Sequence, residues 1–163
     1  MSNGIDDAIL SEFPGTIDLY TKKPIEKGIA KIVDRYSRKS PLAIGSIAMR
    51  YGQAIGLVYA GIAEFQEAND AEPTQGINVS SWLSAHYRGR GFGHEMVQHE
   101  TSKAVEQTLN RDNQNWHNKQ IWTSIKIGNI ASRHVYERAG FMIAGTTHDD
   151  QNRQLYLHSH TEL

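Results

Sequence analysis

GINVSSWLSAHYRGRGFGHEMVQHETSKAVE, residues Gly76 to Glu106, reads as a strand, a glycine-rich turn and a helix in direct succession. Ile77 to Leu83 is the strand, and Tyr87-Arg88-Gly89-Arg90-Gly91-Phe92-Gly93 is the turn. Met96, Val97, Ala104 and Val105 then recur at helical spacing, although Glu100 and Thr101 interrupt the apolar face. This order suits an anion. Glycines carry no Cβ, so main-chain N–H groups approach a ligand closely and φ is free to turn positive. The first turn of a helix holds unpaired N–H donors at the positive end of the dipole, and together these bind phosphate. Arg88 and Arg90 add charged donors that match phosphate oxygens. A phosphorylated ligand is therefore expected at Arg88–Gly93; the alternative is a tight turn carrying two solvated arginines.

Known phosphate and nucleic-acid motifs test this loop. A P-loop requires Gly-Lys-Ser/Thr, and Gly93 is followed by His94-Glu95. The dinucleotide fingerprint G-x-G-x-x-G fits Gly89 and Gly91 but meets His94 at its third glycine. Arg90-Gly91-Phe92-Gly93 matches the start of an RNA-recognition strand, but His94-Glu95-Met96-Val97 lacks the stacking aromatic that should follow. The spacing Arg88-x-x-Gly91-x-Gly93, after a strand and before a helix, resembles the acetyl-coenzyme A signature Q/R-x-x-G-x-G/A of the GCN5-related N-acetyltransferase (GNAT) superfamily. A second stretch, Asn129-Ile130-Ala131-Ser132-Arg133-His134-Val135-Tyr136-Glu137-Arg138-Ala139-Gly140-Phe141, is similar to the later GNAT pattern of Asn, a small residue, then Tyr-Glu-x-x-Gly-Phe. The two matches come in the family's order with a strand between them.

The resemblance implies an α/β (α+β) fold: a central mixed, mostly antiparallel twisted sheet, splayed between its fourth and fifth strands and flanked by helices. Residues 1–163 would form one such domain. It further implies that acetyl-CoA lies in the splay between Ile77–Leu83 and Lys119–Ile127. Its pantetheine arm would pair with backbone around Trp82 and Leu83. Its pyrophosphate would rest on Arg88, Gly89, Arg90, Gly91, Phe92 and Gly93, and Asn129 and Ser132 would meet the arm. The implied reaction is direct attack of a neutral amine on the thioester, with strand N–H groups receiving the charge that develops on the carbonyl oxygen. The departing thiolate needs a proton, and Tyr136, a phenol with an ordinary pKa of about 10, is the candidate general acid. For the base, Ile77–Leu83 offers only Ser80 and Ser81; Glu64 at the end of the preceding strand is the candidate, with His86 or a water chain as alternatives. The acceptor would be a small amine or a peptide N-terminus, and a homodimer is in keeping with the family. Two other readings are an RNA-binding domain using Arg90-Gly91-Phe92-Gly93 and a CoA-binding sensor without catalysis.

Composition narrows the field. The chain has 163 residues, 17 basic and 18 acidic, for a net charge of −1. A general nucleic-acid binder carries a basic excess, so none is expected. With no cysteine there is no disulfide, cysteine zinc site or thiol nucleophile. The histidines match no zinc pattern, and no metal is expected. The first residues show no basic segment leading into an apolar run, and no apolar run is long enough to span a membrane, so cytoplasmic residence is expected.

Elsewhere, Ile5, Ile9, Leu10 and Phe13 suggest a short amphipathic turn, and Thr16–Tyr20 a short strand. Ile25, Ile29, Ile32, Val33 and Tyr36 fall on one face of a helix over Pro24–Ser37. Leu42–Arg50 and Ala54–Phe65 read as a hairpin, with Gly56 and Gly61 as candidate bulges. Gln66–Gln75 reads as a polar loop whose Glu67, Asp70 and Glu72 hint at a cationic acceptor. Asn110–Asn118 is a second polar loop. Lys119–Ile127 is a strand; Asn129 is placed to cap a helix over Ile130–Ala139, and Gly140 to end it. Phe141–Thr147 and Gln154–His160 make a closing pair of strands around Asp149–Asn152.

Overall fold

The computed structural model describes residues 9–12, 44–50, 53–112 and 120–158. The expected Thr16–Tyr20 strand, the Pro24–Ser37 helix and most of the second polar loop lie outside these residues. Among these described residues seven strands form one sheet: β1 (Ile9–Glu12), β2 (Ile44–Arg50), β3 (Gln53–Phe65), β4 (Thr74–Leu83), β5 (Ile121–Lys126), β6 (Phe141–Thr146) and β7 (Arg153–His158). A single turn of 3-10 helix, Ala85–Tyr87, leads from β4 towards α1 (Phe92–Asp112); α2 (Ile130–Arg138) joins β5 to β6. The sheet order is β1-β2-β3-β4-β5-β7-β6. β1 with β2 and β4 with β5 run parallel, and the remaining neighbours run antiparallel. The mixed, mostly antiparallel sheet is the one expected.

β3 and β4 form the spine, paired without interruption from Gly56↔Leu83 to Phe65↔Thr74. Ile55, Leu57, Val58, Tyr59 and Ala60 are all buried, so β3 is covered on both faces, which explains a run more continuously apolar than alternating. Between β4 and β5 the register holds only Ile77↔Ile121 and Asn78↔Trp122, after which the strands part. This is the anticipated splay between the fourth and fifth strands.

The core lies between the sheet and α1, where Met96, Val97 and Val105 pack with Ile77, Val79, Ile121 and Tyr156. Thr101 and Thr108, at 1% and 0% exposure, complete the same inward stripe. Thr101, which interrupts the apolar face by polarity, thus belongs to the stripe. Three further bounds differ. Ile9–Glu12 is a strand rather than a turn, because its partner Ser46–Met49 comes far later in the chain. The polar Thr74-Gln75-Gly76 belongs to β4, held by Ala63–Phe65. α1 runs on to Asp112, into the segment read as loop. A register shift opposite Ala48/Met49 places a bulge beside Gly56, whereas Gly61 pairs regularly with Asn78.

The loop after β3 crosses to the far half of the sheet. Ala68 N–H donates to Thr146 O and His148 N–H to Gln66 O, both at 2.9 Å. Glu67 lies over Gly145, where a Cβ would come within 2.7 Å of the Glu67 Cδ. A side chain at 145 would have to push Glu67 aside, and Glu67 belongs to this clasp. The two half-sheets are thus joined by the short β4–β5 register, by Trp122 Nε1 donating to Ala63 O at 3.3 Å and by this loop.

Candidate active site

The splay opens a cleft of about 540 Å³. The end of β4 forms one wall with Ser81, Trp82 and Leu83; the turn and the start of α1 add Arg88, Gly89, Gly91, Gly93, His94 and Met96; α2 supplies the opposite wall.

The main chain of β4 prepares that wall. Ser84 N–H donates to Ile55 O on β3, whereas Ile77 N–H donates to Gln120 O on the β5 side. Successive residues of a strand alternate in this way. The N–H groups of Ser81 and Leu83 therefore face the β5 side, beyond the point where the β5 register stops. Trp82 also lines the cleft but turns its N–H towards β3.

The turn has the conformation that its glycines permit. Gly89 and Gly91 have φ of 70° and 84°, and a Cβ at either would meet nothing within 4 Å. These positions need glycine for the backbone and leave space above it. Gly93 differs: a Cβ there would lie 3.1 Å from Val135 Cγ2, so this glycine lets α1 approach α2. Arg88 Nε donates to Leu83 O at 2.9 Å, fastening the turn to the strand end. Arg90 is exposed and Phe92 packs its ring edge-on against Tyr87; neither side chain lines the cleft.

α2 begins at Asn129, whose Oδ1 accepts from Ser132 N–H at 3.2 Å, and stops at Gly140 with φ of 92°. Ala131, His134, Val135 and Arg138 form its cleft face, with Asn129 and Ser132 at the rim. These four positions were not singled out in the sequence, although their 3-4 spacing is that of one helical face. Among the described residues no carboxylate lines the cleft, whereas Arg88 and Arg138 do, so their charge suits an anion.

Tyr136 reaches the cleft from α2 while only 3% exposed. Its ring meets Phe141 edge-on, with centroids 5.0 Å apart, and its Oη donates to Ser81 Oγ at 2.9 Å. Behind α2, Arg133 Nε donates to Tyr156 Oη at 3.0 Å, and that hydroxyl lies 3.2 Å from Glu137 Oε1. Burial raises the Tyr156 pKa above its ordinary value of 10.0, Arg133 opposes the rise, and Glu137 adds to it. The Glu of the Tyr-Glu pair thus helps moor the helix that carries Tyr136.

A family model described as an acetyltransferase (GNAT) domain matches residues 11–142. The chain belongs to the GNAT acetyltransferases. Acetyl transfer is accordingly its class of activity. No curated protein matches the sequence. Among solved structures, this GNAT domain resembles AAC(6')-Ib in complex with paromomycin and acetyl-CoA, with TM-score 0.53 and 21% identity over 79% of this chain and 72% of that one. A Bordetella pertussis protein assigned to the GNAT acetyltransferases gives TM-score 0.51 and 14% identity over 81% and 74% of the two chains. At these identities the likeness is one of fold.

The remaining sequence candidates of this GNAT chain lie elsewhere. Glu64 is exposed and pairs with Gln75; it lies six residues, about 20 Å, along β3 from Val58, the partner of Ser81. The structure does not bring it to the cleft. His86 is exposed and stacks edge-on against Tyr87. Arg90-Gly91-Phe92-Gly93 forms a turn and a helix start, whereas the RNA motif is a strand, and the Phe92 ring is turned onto Tyr87 rather than outward. Among the described residues no helix is long and apolar enough to cross a membrane.

Proposed function

We propose that the chain is an N-acetyltransferase that moves an acetyl group from acetyl-CoA to a primary amine by direct attack in a ternary complex. The observation that carries the reading is the Tyr136 hydroxyl, held 2.9 Å from Ser81 Oγ at the splayed end of β4, in a cleft that also contains the glycine turn. The fold likeness to AAC(6')-Ib, crystallised with acetyl-CoA and with coenzyme A, supports the choice of donor.

In this reading the donor's thioester supplies the activated acetyl group, and the chain supplies everything else. Arg88, the N–H groups around Gly89, Arg90 and Gly91, and the start of α1 at Phe92 and Gly93 hold the diphosphate. The cleft-side N–H groups of Ser81 and Leu83 align the pantetheine arm and receive negative charge from the carbonyl oxygen. Trp82 and Leu83 wall the arm, with Asn129 and Ser132 across from them. Tyr136 gives its proton to the departing sulfur. With no carboxylate lining the cleft among the described residues and Glu64 distant, the amine loses its proton to solvent. The acceptor is a small amine or a peptide N-terminus.

The test is calorimetric titration with acetyl-CoA, followed by release of free CoA thiol against a panel of aminoglycosides, polyamines and peptides. Absence of binding at millimolar acetyl-CoA refutes the donor. Binding without turnover of any amine favours a sensor. Tyr136→Phe is expected to cut turnover by about a hundredfold with little change in donor affinity, and turnover at the wild-type rate removes Tyr136 from the acid role.

A further inference from the structure

Ser81 is a hydroxyl that its strand does not account for. Ile77, Val79, Ser81 and Leu83 share one face of β4. Ile77 and Val79 are fully buried, and Leu83 packs against the same core. An apolar residue would extend this row, yet the third place is serine. Its neighbour Ser80 points to the opposite face, with its Oγ 3.5 Å from Asn78 Oδ1, so the two serines have separate partners. Ser81 Oγ accepts from Tyr136 Oη at 2.9 Å, across the cleft from α2.

We infer that Ser81 is a positioning residue for acetyl transfer. It holds the Tyr136 hydroxyl at the cleft before reaction, then donates its own O–H to the phenolate oxygen once that proton has gone. A hydroxyl is both donor and acceptor, so it reverses roles without moving its oxygen. A hydrogen bond to an anionic oxygen is roughly twice as strong as one between neutral groups. The contact therefore strengthens as Tyr136 loses its proton, and it favours the transition state over the resting state. The inference rests on the reading of Tyr136 as the acid. The bonds balance as follows: the N–C bond forms and the C–S bond breaks; the Tyr136 proton goes to sulfur; the surplus proton on the acylated nitrogen passes to solvent; and solvent returns one to the phenolate. Ser81 keeps its proton throughout.

The competing account is that Ser81 merely satisfies a buried phenol. Ser81→Ala, Ser81→Thr, Tyr136→Phe and the double variant Ser81→Ala/Tyr136→Phe separate the two accounts, assayed with the fastest amine of the panel. Ser81→Ala is expected to lower kcat by about tenfold with KM for acetyl-CoA unchanged. Ser81→Thr should restore it, and the double variant should be no slower than Tyr136→Phe alone. If Tyr136→Phe is slow but Ser81→Ala turns over normally, this inference fails and the acid survives. If Tyr136→Phe is itself normal, the acid and this inference fail together. Multiplicative losses in the double variant also overturn the inference. A readout that needs no acceptor is phenolate absorbance at 295 nm, with Tyr136→Phe subtracted. The Tyr136 step should move to higher pH in Ser81→Ala and return in Ser81→Thr; an unmoved step overturns the inference.

Discussion

Asn129 allows helix capping and ligand contact to be pulled apart. Its side chain accepts from Ser132 N–H at 3.2 Å, satisfying one of the open donors at the start of α2. That helix has nine residues, too short to hold its shape in isolation. Asn129→Ala removes the acceptor and should cost about 1 kcal/mol. For a chain of this size that corresponds to a fall in Tm of about 2–4 °C. Tyr136 is held separately by Phe141 and Ser81, so kcat should change little. Asn129→Ser and Asn129→Asp keep an acceptor at the same place and should keep most of the Tm, Asp with added benefit from the helix dipole. Asp, however, brings a carboxylate to the rim of a cleft that we propose takes a diphosphate, so it should weaken acetyl-CoA binding more than Ser does. Differential scanning fluorimetry and calorimetry on the three variants give both readouts. An unchanged Tm for Ala, or Ser and Asp as unstable as Ala, refutes the cap. Ser binding acetyl-CoA as weakly as Asp would show instead that the amide itself contacts the donor.

Among the described residues, the buried Thr101 Oγ1 has no hydrogen-bond partner. Thr101→Val keeps the shape and removes the unsatisfied hydroxyl, so it should stabilise by about 1–3 kcal/mol; a melting temperature that does not rise contradicts this. Gly91→Ala meets no atom but must adopt φ near 84°. It should lose roughly 1–2 kcal/mol of stability and bind acetyl-CoA several-fold more weakly, whereas Gly128→Ala, equally open and without positive φ, should change neither in the same assays. Tyr156 holds its proton more tightly in the folded chain than its ordinary pKa of 10.0 implies, chiefly through burial. Its contribution is complete below about pH 10 and is lost as pH climbs through the raised value. Melting between pH 9 and 11.5 should therefore fall less steeply for Tyr156→Phe, and parallel curves would contradict the assignment.

The strands and helices that frame the cleft were legible because each carries a strong local period. Ile121, Thr123 and Ile125 alternate, Asn129 caps, and Gly140 stops. What was not legible depends on partners distant in the chain. Ile9–Glu12 has no pattern of its own and becomes a strand only beside Ser46–Met49. Thr74 and Gln75 are polar and exposed, and they extend β4 only because Glu64 and Phe65 lie opposite. Thr101 and Thr108 face inward because their methyl groups fill the stripe below α1, which a reading by polarity misses. At the site, the turn glycines were legible from spacing and Tyr136 from its resemblance to the later GNAT pattern, but the proximity of Ser81 to Tyr136 spans 55 residues and needed the fold. Glu64 was proposed from its place at a strand end, and sequence holds no measure of which end of the strand reaches the cleft.

The strap from Gln66–Ala68 to Thr146–His148 has a mechanical consequence. A wedge-shaped gap between two plates joined along one short seam would tend to shut when empty, because its walls are partly apolar. A further tether resists that closure, so the slot should stay open before any guest arrives. A guest then spends none of its affinity in prising the plates apart, and substitutions that loosen Glu67 over Gly145 should be felt at the mouth of the slot without touching a single residue that lines it.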